Sequence, residues 1–350
     1  MKLFKYIIIF LVISLVSVYF LLQNHSVQNR LFENTVTGLF QADEIFMSDA
    51  LSVAVCGSRA PLPSPNRAET CLLVQAGTSK FIIDTGRGSA DNLQRWRVDY
   101  SDLEAVILSH LHSDHISDLH EVQFQSWLGG RKTPLSVIGP VGTASTTQGF
   151  EQAFELDSIY RSEHHGAILP IEAYGYDVVE FDGDSALIFQ NEDTSITAFK
   201  VDHSPVDPSY AFKIEYKDRS IVLSGDTISL EVMTEYSKGV DVLFHDALAL
   251  PLIQEMERIS KELGNDIVSK VLFDIQDYHA NTIEVADIAK KAEVDLLVFY
   301  HLIPAPVNYI SEQMFLRGVD EIFSNYHVSE DGTLVSLPAG SDEIFIDLID

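Results

Sequence analysis

The stretch His110-Leu-His112-Ser-Asp114-His115 places three imidazoles and a carboxylate within six residues, directly after the apolar-rich run Ala105–Ser109. Imidazole nitrogen and carboxylate oxygen are donors that hold divalent transition metals, and metals so held activate water. Spacing matters as much as residue type. In an extended segment side chains alternate in direction, so His110, His112 and Asp114 share one side. His115 falls where a helix is expected to begin, and there the face changes. One strand end can thus feed two adjacent metal positions. A lone surface histidine is usually only solvated, and pairs arise by chance. A full His-x-His-x-Asp-His run behind a buried strand is much harder to obtain that way.

Elements of a layered fold must position these donors. Leu51–Cys56, Cys71–Ala76, Lys80–Asp84 and Ala105–Ser109 read as strands separated by turn residues. A helix is predicted over Ile116–Trp127, stopped by Gly129-Gly130, then a strand at Leu135–Gly139 and a helix from Thr143 to Leu156. The second half has a similar rhythm. Strands are predicted at Asp177–Phe181, Ala186–Gln190, Thr194–Val201, Tyr210–Tyr216, Ser220–Ser224, Asp241–His245 and Asp295–Tyr300. Helices are predicted near Ser229–Tyr236, over 251–263, from an N-cap at Thr282 to Ala292, and over Met314–Phe323. Each half passes from several strands into alternating strands and helices. That pattern implies an α/β body over residues 46–350, two packed sheets with helices outside, in four αββα layers.

Several of these strands end on a residue that can do chemistry: Asp84, His203, Asp226, His245-Asp246 and His301. Any one of them alone reads as a residue capping a turn. Together with the histidine cluster they describe one surface. The ordered motifs Asp84-Thr-Gly86, His110-x-His112-x-Asp114-His115, His203, Ser224-Gly225-Asp226-Thr227 and His301 resemble the metallo-β-lactamase superfamily, from about residue 50 to 337. Within it, the stretch Val201-Asp-His-Ser-Pro-Val-Asp-Pro and Tyr278-His279 look like the branch of tRNase Z and arylsulfatase-like hydrolases. Trp127-Leu-Gly-Gly-Arg-Lys-Thr-Pro134 with Ile138-Gly-Pro140 looks closer to the arylsulfatase-like members.

The resemblance implies two zinc ions. His110, His112 and His203 would hold one, Asp114, His115 and His301 the other, and Asp226 would bridge them. Imidazole and carboxylate without thiolate suit zinc, with manganese or iron as competitors. Such a pair lowers the pKa of a shared water to about 7, and the resulting hydroxide attacks an ester centre. Asp226, His279 and His245 are the expected catalytic residues, the two histidines as proton donors to the leaving group. Where that branch often has His-Glu, this chain has His245-Asp246, which puts the proton relay in doubt. Packing beneath the site is the competing role for His245, and helix capping for His279. Asp84 is expected to orient a ligand histidine rather than bind metal. His120, His164 and His165 match no motif.

The N-terminus stands apart. Lys2 and Lys5 precede an uncharged run from Tyr6 to Leu22, at the short end for crossing a bilayer as a helix. No small-x-small cleavage site follows, so residues 1–23 read as an uncleaved signal anchor, with a cleaved signal peptide as runner-up. Positive charge on the N-terminal side leaves the catalytic body on the non-cytoplasmic (periplasmic or extracellular) side. Residues 24–45 read as a polar linker. The two cysteines, Cys56 and Cys71, either pair in an oxidising compartment or stay buried thiols.

Among 350 residues the net charge is -29. Such a surface repels phosphate backbones, so nucleic acid is expected to be a disfavoured partner. The anchor, the acidity and the arylsulfatase-like text together lead to a binuclear zinc hydrolase of small anionic esters, sulfate or related. A tRNase Z-like phosphodiesterase shares the site, but that branch often carries a basic arm, and the region Gln148–His165 offers only Arg161. A lactonase or β-lactamase is the third reading, and a non-enzymatic zinc-binding membrane protein the last. Arg59 or Arg67, in a proline-rich loop, either holds an anionic substrate group or faces solvent. Oligomeric state is not encoded in any motif.

Overall fold

A computed structural model describes residues 2–39, 45–100 and 102–349. The chain divides into two compact units, Met1–Asp43 and Glu44–Asp350. The first holds α1 (Lys2–Leu22) and α2 (His25–Leu39). In α1 the segment Phe4–Leu22 is long and apolar enough to cross a membrane. The expected linker is largely α2 instead. Asn24 accepts hydrogen bonds from the backbone N–H groups of Ser26 and Val27, which caps that helix despite its polar sequence. Residues 40–44 of the expected linker lie outside the described residues.

The second unit opens with β1 (Ala50–Gly57), β2 (Cys71–Ala76), β3 (Ser79–Ile83), α3 (Ser89–Arg95) and β4 (Leu103–Ile107). Then follow α4 (Ser113–Ile116), α5 (Leu119–Leu128), β5 (Leu135–Pro140), α6 (Thr143–His165) and β6 (Tyr176–Phe181). The next strands are β7 (Ser185–Gln190), β8 (Thr194–His203), β9 (Val206–Tyr216) and β10 (Arg219–Leu223). After them run α7 (Glu231–Tyr236), β11 (Val242–Leu248), α8 (Leu250–Glu262), α9 (Asp266–Asp274), α10 (Thr282–Ala292) and β12 (Leu296–Ile303). The chain closes with α11 (Tyr309–Phe315), β13 (Tyr326–Val328), β14 (Thr333–Pro338) and β15 (Phe345–Leu348).

The strands form two sheets, ordered β15-β14-β1-β2-β3-β4-β5-β6 and β13-β12-β11-β10-β9-β8-β7. The strands pair in parallel where helices cross over, β3 to β6 in the first sheet and β10 to β13 in the second, and antiparallel elsewhere. Alternation builds three apolar layers from these strands. Val53, Val74, Phe81 and Ile107 meet Phe212, Ile214, Leu223 and Phe244 between the sheets. Their sequence neighbours face outward. Leu73, Ile82 and Val106 pack with Leu93 of α3 and Val122 of α5. Val222, Leu243 and Phe299 pack with Val285 and Ala289 of α10. The four-layer αββα fold is therefore the one expected. Cys56 and Cys71, on neighbouring strands, form a disulfide.

Differences from the expected elements have local causes. The helix predicted at Ile116–Trp127 is α5, which begins only at Leu119, while Ile116 closes the short α4. Helix α6 runs on to His165 and stops at Gly166, whose φ is 64°. Helix α9 was not anticipated. Asn281, not Thr282, caps α10, and it forms a capping box with Glu284. The helix expected over Met314–Phe323 would contain Gly318 at φ 85°; α11 instead starts at the Asn308 cap and ends before that glycine.

Phe212 is fully buried between the sheets. Phe212→Ala is expected to destabilise the body by about 3–5 kcal/mol, and Asn281→Ala by about 1 kcal/mol. Urea denaturation of the full chain followed by tryptophan fluorescence measures both. Equal losses would mean that this layer does not carry the stability.

Candidate metal centre

The metal-type donors collect at the C-terminal ends of β3, β4, β8, β10, β11 and β12. There, Oδ2 of Asp226 lies 3.2 Å from His301 Nε2, 3.3 Å from His115 Nε2, 3.7 Å from His203 Nε2 and 3.8 Å from His110 Nε2. Two groups share it. His110, His112, His203 and Asp226 form one, and Asp114, His115, His301 and Asp226 the other, with donor atoms within 4.8 Å of one another in each. A third group joins Asp226 and His301 to Asp246 and His279 at the same limit. The structure thus brings together all seven residues expected to bind metal.

Three of the rings, His110, His115 and His203, are turned by a bond on the far nitrogen. His115 Nδ1 donates to Asp84 Oδ2 at 2.8 Å, and His203 Nδ1 donates to the Tyr278 carbonyl at 2.9 Å. His110 Nδ1 lies 3.1 Å from Ser109 Oγ, which itself donates to Asp84 at 2.7 Å. Asp84 therefore organises the two central histidines without reaching the centre, as expected of it. The remaining nitrogens converge. His112 Nδ1 is 3.0 Å from His110 Nε2 and 3.3 Å from His203 Nε2. Three lone-pair sites so close cannot all be matched by protons shared between them, and one cation satisfies all three. Asp226 Oδ1 is buried with no hydrogen-bond partner among the described residues. The donor set fits divalent metal on these grounds.

The charge states agree for the first group of donors. Burial holds His110 well below the ordinary imidazole value, and lowers His112 and His203 as well, leaving neutral rings able to donate a lone pair. Burial also acts to lower His115, but the carboxylates of Asp226, Asp84 and Asp114 outweigh it and raise that ring. For Asp114 burial acts upward, yet His115 and His301 bring the carboxyl down to about 2. Both inner carboxylates are ionised.

Backbone geometry makes the approach possible. A Cβ on Gly86 would sit 2.2 Å from the Asp114 carbonyl, and one on Gly225, at φ 59°, 2.5 Å from the Tyr210 carbonyl. His301 has φ 43° and is the extra residue where the β11–β12 register shifts, a bulge that turns its ring inward.

The two candidate proton donors part ways. His279 Nδ1 donates to Asp246 Oδ2 at 2.9 Å, and its ring lies 5.4 Å from that of His301. His245 is fully buried and bonds the backbone carbonyl and Oδ1 of Asp246 at 2.8 and 3.0 Å. Phe244 faces the core between the sheets, so His245 faces the helices and Asp246 faces the site. His245 is not in any of the three donor groups. Asp246, to which the sequence motif assigns no role, is what orients His279. Neither loop arginine is free for an anion. Arg59 is buried against Glu69 at 3.1 Å and the Arg67 carbonyl, while Arg67 donates to Ser58 Oγ and the Ser329 carbonyl.

The profile described as the metallo-beta-lactamase superfamily matches residues 65–301. The chain belongs to this superfamily. A Ribonuclease Z of Mycobacterium bovis is 34% identical over 287 residues, 80% of this chain and 96% of that protein. A Ribonuclease Z of Mycolicibacterium paratuberculosis is 33% identical over 295 residues, 83% of this chain and 100% of that protein. Two solved structures share the fold. The metallo-beta-lactamase fold protein YhfI of Bacillus subtilis has TM-score 0.61 at 22% identity, covering 82% of this chain and 100% of its own. Human tRNase Z, short form, has TM-score 0.57 at 20% identity, covering 82% and 99%. This chain is a metal-dependent hydrolase of ester bonds.

These relatives overturn the expectation that nucleic acid is a disfavoured partner, because the proteins matched over most of the chain are nucleases by name. The reason is physical: net charge averages the whole surface, whereas a substrate meets the local field of the site. Sulfate-ester hydrolysis gains no support from the same comparisons.

Asp226 belongs to all three donor groups. Metal analysis of the full chain, expressed with added divalent metal, should find about two ions per chain. Asp226→Ala should bring that below one while circular dichroism stays unchanged. A reproducible content near zero in the unmodified chain would remove the metal reading.

Proposed function

We propose that the body is a two-zinc phosphodiesterase of the Ribonuclease Z kind, cutting RNA. The observation that carries this reading is the identity of 34% over 80% of the chain to a Ribonuclease Z. His110, His112 and His203 would hold one ion, Asp114, His115 and His301 the second, and Asp226 both. Bound there, the ions would supply Lewis acidity and lower the pKa of water. Zinc suits a donor set of imidazole and carboxylate without thiolate.

The chain's own residues do the rest. Asp84 and Ser109 hold His115 and His110 in place. Asp246 holds the Nδ1 proton of His279, so the doubly protonated ring would give its Nε2 proton to the leaving oxygen and stay neutral with the Nδ1 proton in place. His245 steadies Asp246 from the helix side. We further propose that α1 anchors the chain and that the body lies on the non-cytoplasmic side. The flanking Lys2 and Lys5 support this orientation, and so does the Cys56–Cys71 disulfide, since such bonds persist in oxidising compartments. The substrate is then RNA on that side of the membrane.

Side-by-side turnover tests the substrate class. The full chain should cleave a 3′-extended tRNA transcript with higher kcat/KM than p-nitrophenyl sulfate; the reverse order sinks the reading. His112→Ala should abolish turnover with the fold intact. His279→Ala should lower kcat on RNA by about 100-fold or more, and by much less on a p-nitrophenyl phosphodiester, whose leaving group needs no proton. For topology, a C-terminal alkaline phosphatase fusion should be active. A fusion reporter active only in the cytoplasm would reverse the orientation.

A further inference from the structure

A cavity of about 720 Å³ opens between the helices that follow the metal-type donors and α6. Ser117, just past α4, forms part of its wall, two residues beyond His115. Arg87 lies on it too, one residue after the Gly86 that abuts Asp114. Its floor is aromatic. The His120 and Phe154 rings stack at 3.3 Å between centroids with planes 9° apart, and the Arg161 guanidinium lies 4.4 Å over the Phe124 ring. Nothing in the metal centre uses these groups.

The polar groups around this floor are unevenly committed. Asp157 is paired with Arg161 at 2.8 Å, and Asp118 accepts the backbone N–H groups of Gly88 and Ala90. Asp91 is exposed on the cavity wall and has no hydrogen-bond or ion-pair partner among the described residues, and His120 Nδ1 is buried without a hydrogen bond. The uncommitted groups are thus a carboxylate that accepts N–H and a ring nitrogen, set against π faces. With three of the four lining carboxylates already matched, Glu121 by Gln125 Nε2 at 2.7 Å, the cavity is poorly suited to a polycation. It suits a flat, neutral heterocycle that offers N–H at its edge. Arg87, on the cavity wall with its side chain 68% exposed, pairs with Glu69 at 3.2 Å, and a phosphate attached to such a ring would meet its open side.

We propose that this cavity is a nucleobase subsite: it stacks one base of the substrate beside the metal centre, with Phe124 and Phe154 as the platform. The proposal deepens the phosphodiesterase reading and rests on it for the identity of the substrate, but not for the binding itself. Stacking of a base on aromatic side chains is sequence-tolerant, so the subsite takes bases without strong choice among them.

The test is calorimetric titration of the metal-loaded full chain with AMP and with ribose 5-phosphate, which differ only in the base. AMP should bind about tenfold tighter, and Phe154→Leu and Phe124→Leu should each reduce that preference to about threefold or less. Thermal unfolding confirms that the variants are folded. Equal affinity for the two ligands overturns the proposal, as does a preference that survives both substitutions. Displacement of AMP by spermidine in the unmodified chain but not in Phe154→Leu would also overturn it, by marking a cation groove. Turnover decides the separate question: a base preference without hydrolysis of any phosphodiester would sink the phosphodiesterase reading and leave the subsite standing.

Discussion

Everything in the body answers to one buried carboxylate oxygen. Oδ2 of Asp226 has four imidazole nitrogens between 3.2 and 3.8 Å, drawn from three segments of chain. Burying so many lone pairs and charges is costly unless each finds a partner. The fold meets this demand with position rather than with bulk. Both sheets carry their parallel strands to the same edge, and the polar residues sit just beyond the last apolar pair of each strand. The three apolar layers keep those strands fixed, so the donors need no adjustment of their own. Backbone conformations that L residues rarely adopt, at Asp84 and His301, occur at this edge.

A second ring of contacts turns the convergence into a defined chemistry. Asp84, Ser109, the Tyr278 carbonyl and Asp246 each take one nitrogen or oxygen away from the centre, so the other points in. Removing such a partner would leave a ring in place but free to rotate or to hold its proton on the wrong atom. His245 belongs to this outer ring through Asp246, one step further from the centre than its place beside the motif suggests.

Much of this was legible in the sequence because two periodicities and a few turn residues encode it. Alternation marked the strands, and their polar last residues marked the edge. The same alternation separates His245 from Asp246: with Phe244 in the core between the sheets, the next residue must face the helices and the one after must face the site. Reading it strictly would have assigned Asp246. Other features have no such signal. Glycines at positive φ follow α6 and α11, at Gly166 and Gly318, but a glycine does not itself say whether its position will take that conformation. The polar residues of α2 resemble a linker until the cap at Asn24 is seen. Pairing of Cys56 and Cys71 required the register of β1 on β2, which no spacing supplies.

The substrate was the hardest to read, and charge shows why. A net charge of -29 repels a long polyanion that lies across the whole surface. Charges separated by more than about 8 Å of physiological saline scarcely act on one another. A scissile phosphate therefore responds to its immediate surroundings, and there five imidazoles face two inner carboxylates. Cations held by those donors would invert the local field, whatever the mean charge of the surface. An acidic exterior is thus compatible with phosphodiester chemistry provided that contact is short and confined to the edge of the sheets. What the acidity disfavours is the broad, salt-sensitive grip on a duplex that many basic proteins use, which is a statement about footprint and not about the bond that is cut.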